Sequence, residues 1–253
     1  MRKFSVFMWL VVAFIVLVQP VAQAQAKETT AKHQPVWCDE SLSEEEKVEA
    51  ILAQLTTEEK VALCTAQGKF STPGVPRLGI PELWYSDGPH GVRAEINWND
   101  WGYAKWRNDS VTAFPALSCL AASFDPDLAY LYGQCLGAEA RYRKKDVILG
   151  PGVNIYRVPL NGRNFEYMGE DPYLASVMVQ PYIKGIQEND VAACVKHYAL
   201  NNQEIDRGHI NVEVSDRALR EIYLPAFKAA ADAGAWSFMG AYNQYKNQHC
   251  CHN

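Results

Sequence analysis

Apolar residues follow two rhythms along this chain. In some stretches they recur at helical intervals; in others they form short runs that end abruptly in polar residues. Ser43 and Glu46 have capping-box spacing, and Val48, Ile51, Leu52 and Leu55 follow three and four apart. Thr56 and Glu59 open a second helix in the same way, and the Pro/Gly-rich "STPGVPRLGIPE" breaks the pattern. Beyond it, short apolar runs alternate with helices. "ELWYSD", "DVIL", "VAACVKHY" and "AWSFMGAY" read as strands. Between them lie two helices opened by Asp-Pro, at Asp125-Pro126 and Asp171-Pro172, and a third over 215–234 closed by Gly234. Leu128, Leu131, Tyr132 and Cys135 are expected to form the buried face of the first. Pro181 predicts a kink or break in the second, and Leu219, Ile222, Tyr223, Phe227 and Ala230 are expected inward in the third.

Strands alternating with helices indicate an α/β fold with a parallel sheet under helices. The strands end in Ser86-Asp87, near Asn154, in Lys196-His197 and in Tyr242-Asn243. In a (β/α)8 TIM barrel all such ends face one side and build the site. Only about four strands of that type are present, so the expectation is an incomplete TIM-barrel-like domain. It would comprise about the first half of the barrel, over residues 42–253, with more chain to follow. For Lys196 and His197 alone, a solvated surface turn is the competing reading.

The N-terminus changes the picture of where the chain works. Arg2 and Lys3 precede an apolar run from Phe4 to Val18, and alanines follow in A-x-A spacing. This is the layout of a signal peptide, residues 1–26, cleaved after Ala24 or Ala26, and it implies a secreted or periplasmic protein that is free of the membrane afterwards. Residues 27–41 read as a polar leader. The formal charge is −5, and loss of Arg2 and Lys3 takes it to −7. An acidic chain has no electrostatic reason to seek nucleic acid, so a neutral polar substrate fits better. The seven cysteines are irregularly spaced and read mostly as small buried residues rather than a disulfide framework. Cys250 and Cys251 lack the spacing of zinc ligands, and nothing points to a metal or other cofactor.

The densest polar stretch is "NGRNFEYMGEDPY", where Arg163 and Glu166 are unexplained by capping. They are either a salt bridge that holds the loop or a planar clamp on ligand hydroxyls. Trp37, Trp84, Trp98, Trp101 and Trp106 add aromatic surface, some of it able to stack on a sugar ring and most of it expected to pack in core or loops.

"YSDGPHGVR", "TAFPALSCLAASFD", "LGPGVNIYRVPLNGRNFEYMGEDPYL", "VKHYALNNQEIDR" and "MGAYN" together resemble the N-terminal domain of family 3 glycoside hydrolases, a family of β-glucosidases and β-xylosidases. The resemblance implies a sugar pocket in which Asp87 accepts hydrogen bonds from the terminal sugar. Arg163, Lys196 and His197 would donate to it, Arg93, Arg207 and Tyr242 would line it, and Glu166 would orient Lys196. It also implies a retaining mechanism that removes terminal β-linked glucose or xylose from an oligosaccharide. The family's nucleophile is an aspartate in a Ser-Asp-Trp motif on the following strand, and its acid/base comes from a later domain. Neither has a counterpart here, so both are expected beyond residue 253 and this chain alone is expected to be inactive. Three alternatives remain open: a non-catalytic carbohydrate-binding fragment, an enzyme using Asp87 and Glu204 as its carboxyl pair, and an assembly protein.

Overall fold

The computed structural model describes residues 35–253. The signal-peptide segment and leader residues 27–34 lie outside the described residues. The chain divides into two compact units, Met1–Leu55 and Thr56–Asn253. In the first, helix α1 (Glu44–Gln54) carries the expected capping box between Ser43 and Glu46.

The second unit begins with α2 (Thr57–Leu63), capped by Thr56 and Glu59. Its remaining helices are α3 (Leu117–Ala121), α4 (Pro126–Tyr142), α5 (Pro172–Gln187), α6 (Asp216–Ala218) and α7 (Pro225–Asp232). The strands are β1 (Ser71–Thr72), β2 (Leu83–Asp87), β3 (Val147–Leu149), β4 (Ala192–Tyr198), β5 (Asn211–Val212), β6 (Ser237–Gly240), β7 (Gln244–Tyr245) and β8 (Gln248–His249). The main sheet runs β1-β2-β3-β4-β6, and β5-β7-β8 form a small second sheet. From β2 to β6 every pairing is parallel. Each new strand joins the same edge, in chain order. A doubly wound sheet would reverse direction partway; this order is that of a barrel wall, and the sheet is an incomplete barrel.

The two faces of the sheet differ. Ile148, Ala193 and Val195 point outward into the main core beneath the helices. Val147, Ala192 and Cys194 point inward and form a small separate cluster with Tyr85, Leu149 and Met239. Asp87 and Lys196 continue these inward rows, two residues beyond Tyr85 and Cys194, at the C-terminal ends of their strands.

The helical face of α4 is not the one its large residues suggest. Leu128, Leu131 and Cys135 are exposed, and the buried stripe is Ala129, Tyr132, Gly133, Leu136, Gly137 and Ala140. The reason is close approach to α5. A Cβ on Gly133 would stand 2.2 Å from the Tyr182 carbonyl oxygen, and one on Gly185 would stand 2.3 Å from that of Tyr130. Small residues let the backbones meet, which displaces leucines to the flank. Pro181 lies inside α5 without ending it. Met178, Val179, Tyr182, Ile183 and Ile186 are buried around it, and that packing outweighs the ~3 kcal/mol a mid-helix proline costs. The third helix is interrupted. Leu219–Tyr223 form a wider turn, closed by Leu224 N–H donating to the Leu219 carbonyl at 3.0 Å, before Pro225 starts α7. The wider turn rotates the register and leaves Ile222 exposed. Of the cysteines only Cys194 is buried, and five of the seven are exposed, which corrects the expectation that most are core residues.

Gly133→Ala separates two effects of opposite sign. Helix propensity favours alanine by about 1 kcal/mol, whereas overlap with the Tyr182 carbonyl costs about 1–3 kcal/mol or more. We expect a lower urea midpoint for Gly133→Ala, and a loss below about 1 kcal/mol for the exposed Leu131→Ala.

Candidate functional site

The first side chain of the site comes from β2. After Asp87 the chain turns sharply through Gly88 and Gly91, with φ of 135° and 138°. A Cβ at Gly88 would lie 1.9 Å from the Gly91 carbonyl oxygen, and one at Gly91 would lie 2.2 Å from that of Thr112, so only glycine fits. The helices grip this turn from beneath: the buried Tyr182 hydroxyl donates to the Pro89 carbonyl at 2.9 Å. The Ser86 hydroxyl accepts from Arg93 N–H at 3.0 Å, and Arg93 Nη1 reaches Asp87 Oδ2 at 3.2 Å. The turn thus returns Arg93 to the carboxylate it left six residues earlier.

The second contribution is the tip of β4. The peptide between Lys196 and His197 is cis, and the ladder with β6 shifts register between Lys196 and Tyr198. Both side chains reach the same cluster and both are buried, at 2% and 1% exposure. Asn154, from the loop after β3, holds the His197 backbone on both sides. Its Oδ1 accepts from His197 N–H at 2.7 Å and its Nδ2 donates to the His197 carbonyl at 3.1 Å.

Ion pairs connect the rest. Lys196 Nζ lies 3.5 Å from Asp87 Oδ1 and 3.6 Å from Glu166 Oε1. Arg163 grips Glu166 with both arms of its fork, Nη2 to Oε1 at 2.6 Å and Nε to Oε2 at 3.2 Å. Arg163 Nη1 also faces Glu204 Oε1 at 3.6 Å, and Glu204 Oε2 accepts from Arg207 Nη1 at 2.7 Å. The Arg207 guanidinium sits 4.4 Å from the ring centre of the half-exposed Tyr242. The eight residues singled out from the sequence (Asp87, Arg93, Arg163, Glu166, Lys196, His197, Arg207 and Tyr242) therefore share one network. Arg163 and Glu166 do form a salt bridge, and it lies within that network. Glu166 is held more closely by Arg163 than by Lys196. Three further contributors join them: Tyr167, which the sequence reading did not single out, Asn154, which it noted only as a polar strand end, and Glu204, which it named only as one carboxyl of an alternative catalytic pair. Glu204 follows Lys196 by eight residues in "KHYALNNQE", and its acidic side chain amid basic ones was the available signal.

His197 is neutral. Burial is the main cause, and the charges of Arg163, Lys196 and Arg207 add to it, pushing its pKa from 6.5 down to about 2. Arg163 Nη2 lies 3.0 Å from His197 Nε2, and a guanidinium can only donate. Nε2 therefore accepts, the proton sits on Nδ1, and Nδ1–H donates to the Tyr167 hydroxyl at 3.0 Å. Burial pushes the Tyr167 phenol up, so it too stays neutral. The result is a set of fixed donors and acceptors suited to a polar, uncharged ligand. Among the described residues no group of three or more His, Cys, Asp and Glu side chains is placed to hold a metal ion.

A sequence profile described as the glycosyl hydrolase family 3 N terminal domain matches residues 47–253. The beta-glucosidase BoGH3A of Bacteroides ovatus is 69% identical over 234 residues, which are 92% of this chain and 31% of that protein. The thermostable beta-glucosidase B of Acetivibrio thermocellus is 43% identical over 81% of this chain and 27% of its own length. The solved structure of beta-glucosidase 3B from Thermotoga neapolitana in complex with glucose superimposes with a TM-score of 0.74. It is 40% identical and aligns with 82% of this chain and 31% of its own. The chain thus spans less than a third of the length of these relatives.

His197 gives a signed pH dependence. Its folded pKa lies below its unfolded value, so below pH 6.5 the unfolded chain binds a proton that the folded chain refuses. Stability is unaffected by this group above pH 6.5 and falls as pH drops from there towards 2. Between pH 7 and pH 5 the loss from this group is about 2 kcal/mol. Urea unfolding of wild type and His197→Gln at both pH values should show a smaller acid loss in the variant by about that amount.

Proposed function

Because this chain belongs to glycosyl hydrolase family 3, we propose that its strand-tip network is the binding pocket for the terminal sugar of a β-glycoside. The parent activity in this reading is a retaining glycosidase that removes terminal β-linked glucose or xylose. The observation that carries it is the convergence of Asp87 from the end of β2, Lys196 and neutral His197 from the end of β4, and Arg163 from the loop after β3. A pyranose offers hydroxyls that each donate and accept. Asp87 is a carboxylate acceptor that is two-fifths exposed on its side chain, Lys196 is a charged donor beside it, and Arg163 is a charged donor in the same network. Hydrogen bonds to charged groups contribute about 1.5–3 kcal/mol each, more than neutral ones.

The chemistry needs one carboxylate to attack the anomeric carbon and another to protonate the leaving oxygen. Every carboxylate in the network is already engaged by cations: Asp87 by Arg93 and Lys196, Glu166 by Arg163 and Lys196, Glu204 by Arg207 and Arg163. That arrangement suits holding hydroxyls rather than forming a bond to carbon. We therefore assign nucleophile and acid/base to no residue of this chain, and propose that it binds sugar without turning it over. Export across a membrane by way of residues 1–26 belongs to the same proposal.

Nitrophenyl β-glucoside and β-xyloside hydrolysis, followed with the 253-residue chain, should stay at the buffer rate. Glucose titrated into the same chain in a calorimeter should give a binding isotherm that Asp87→Asn weakens by about tenfold or more. Robust turnover would refute the non-catalytic assignment, and glucose affinity indifferent to Asp87→Asn would refute the pocket.

A further inference from the structure

The leucines that α4 turns outward are not scattered. Leu128, Leu131, Cys135, Ala138 and Tyr142 are all exposed, and they follow one another at intervals of 3, 4, 3 and 4 residues. They lie on the far side of the helix from the glycine stripe that meets α5. Alternating steps of three and four are the spacing of the a and d positions of a coiled coil. The seam runs the length of a 17-residue helix, about 25 Å. Its exposure is large: Leu131 is 52% and Tyr142 88% exposed. A lone surface leucine needs no explanation, but a continuous apolar stripe marks a contact surface.

The stripe is complementary to itself when a second copy lies antiparallel. Leu128, Cys135 and Tyr142 take the a positions and Leu131 and Ala138 the d positions. In an antiparallel pair, a positions of one helix face d positions of the other. Leu128 then meets Ala138, and Leu131 meets Cys135, each twice across the two-fold axis. Every leucine thus faces a small side chain. Tyr142 arrives beside Phe124, which precedes the helix cap and is 72% exposed. A parallel pair would stack leucine on leucine and alanine on alanine. The flanking charges select the same direction. Asp127, Gln134 and Arg141 occupy the g positions, which face one another in an antiparallel pair, so Asp127 meets Arg141 and Gln134 meets its own copy. Asp127 forms no ion pair among the described residues, and the ion pair of Arg141 is a long one, 3.7 Å to Asp146. The e positions are turned to the protein body: Tyr132 is buried, Glu139 accepts from Thr112 N–H at 2.9 Å, and Asp125 caps α4 itself.

We propose that the outer face of α4 is a self-association surface, which docks antiparallel on α4 of a second copy of this chain. The leucines supply the apolar contact, and the Asp127–Arg141 pairs at the two ends fix direction and register. A single helix pair falls short of the ~1,200 Å² at which stable interfaces begin, so the dimer exchanges with monomer.

Sedimentation velocity of the full chain over a range of concentrations tests this. The sedimentation coefficient should rise with concentration from that of a monomer to that of a dimer. Leu131→Glu changes an exposed side chain and so does not threaten folding, which its urea midpoint checks. It should weaken dimerisation by about tenfold or more. Asp127→Arg and Arg141→Asp should each weaken it, because each sets like charges opposite one another. The double variant Asp127→Arg/Arg141→Asp should restore it, since the exchanged pair attracts again only when the helices run antiparallel. A chain that stays monomeric at every concentration would overturn the proposal, because the seam would then serve some contact other than a second copy. So would a dimer that survives Leu131→Glu, which would associate through another face, or a charge exchange that fails to restore what the single changes remove.

Discussion

A lysine ammonium at 2% exposure is the constraint around which this site is built. A buried cation needs negative charge close by, because unpaired it costs several kcal/mol. Lys196 obtains that charge from Asp87 and Glu166, which come from other strand ends and loops. Each carboxylate must then be shared with a guanidinium, from Arg93 and Arg163 respectively. Glu204 extends the alternation to Arg207. Lys196, Asp87, Glu166, Arg163 and Glu204 each have two oppositely charged partners, so the cluster holds its geometry as a unit. His197, wedged among these cations, must remain neutral, and its one proton is directed by Arg163 onto Nδ1.

The scaffold is arranged to place those charges and little else. Sheet order brings β2, β3, β4 and β6 side by side in parallel, so their C-terminal ends lie together. Alternation along each strand separates the work. Outward residues enter the large core under α4, α5 and α7; inward residues form a small cluster and end in Asp87 and Lys196. The glycine contacts between α4 and α5 draw those helices close, and from them Tyr182 reaches Pro89 and steadies the turn after Asp87. A packing detail on the back of the sheet is thereby coupled to the position of the Asp87 carboxylate on its front.

Much of this was legible beforehand. Polar strand ends such as Ser86-Asp87 and Lys196-His197 marked the site because a buried strand has no structural use for them. The Asp125 and Asp171 caps marked helix starts, since an acidic side chain there has a local reason to exist. What failed was inference from side-chain size. Leu128 and Leu131 looked like core and are exposed, because glycines on the neighbouring face allow a closer approach than leucine would. Ile222 was displaced by a widened turn that the residues 219–223 do not announce. Glu204 pairs locally with Arg207, three residues on, but its contact with Arg163, like the contact of Asn154 with the His197 backbone, is tertiary, and spacing along the chain cannot reveal it.

The central proposal is geometric: that these strand tips enclose a sugar. A crystal structure of the chain grown with glucose tests it most directly. The account predicts one pyranose with hydroxyl oxygens at about 3 Å from Asp87, Arg163 and Lys196. Glucose seated elsewhere, with those three side chains still engaged only within the ion-pair network, would contradict it.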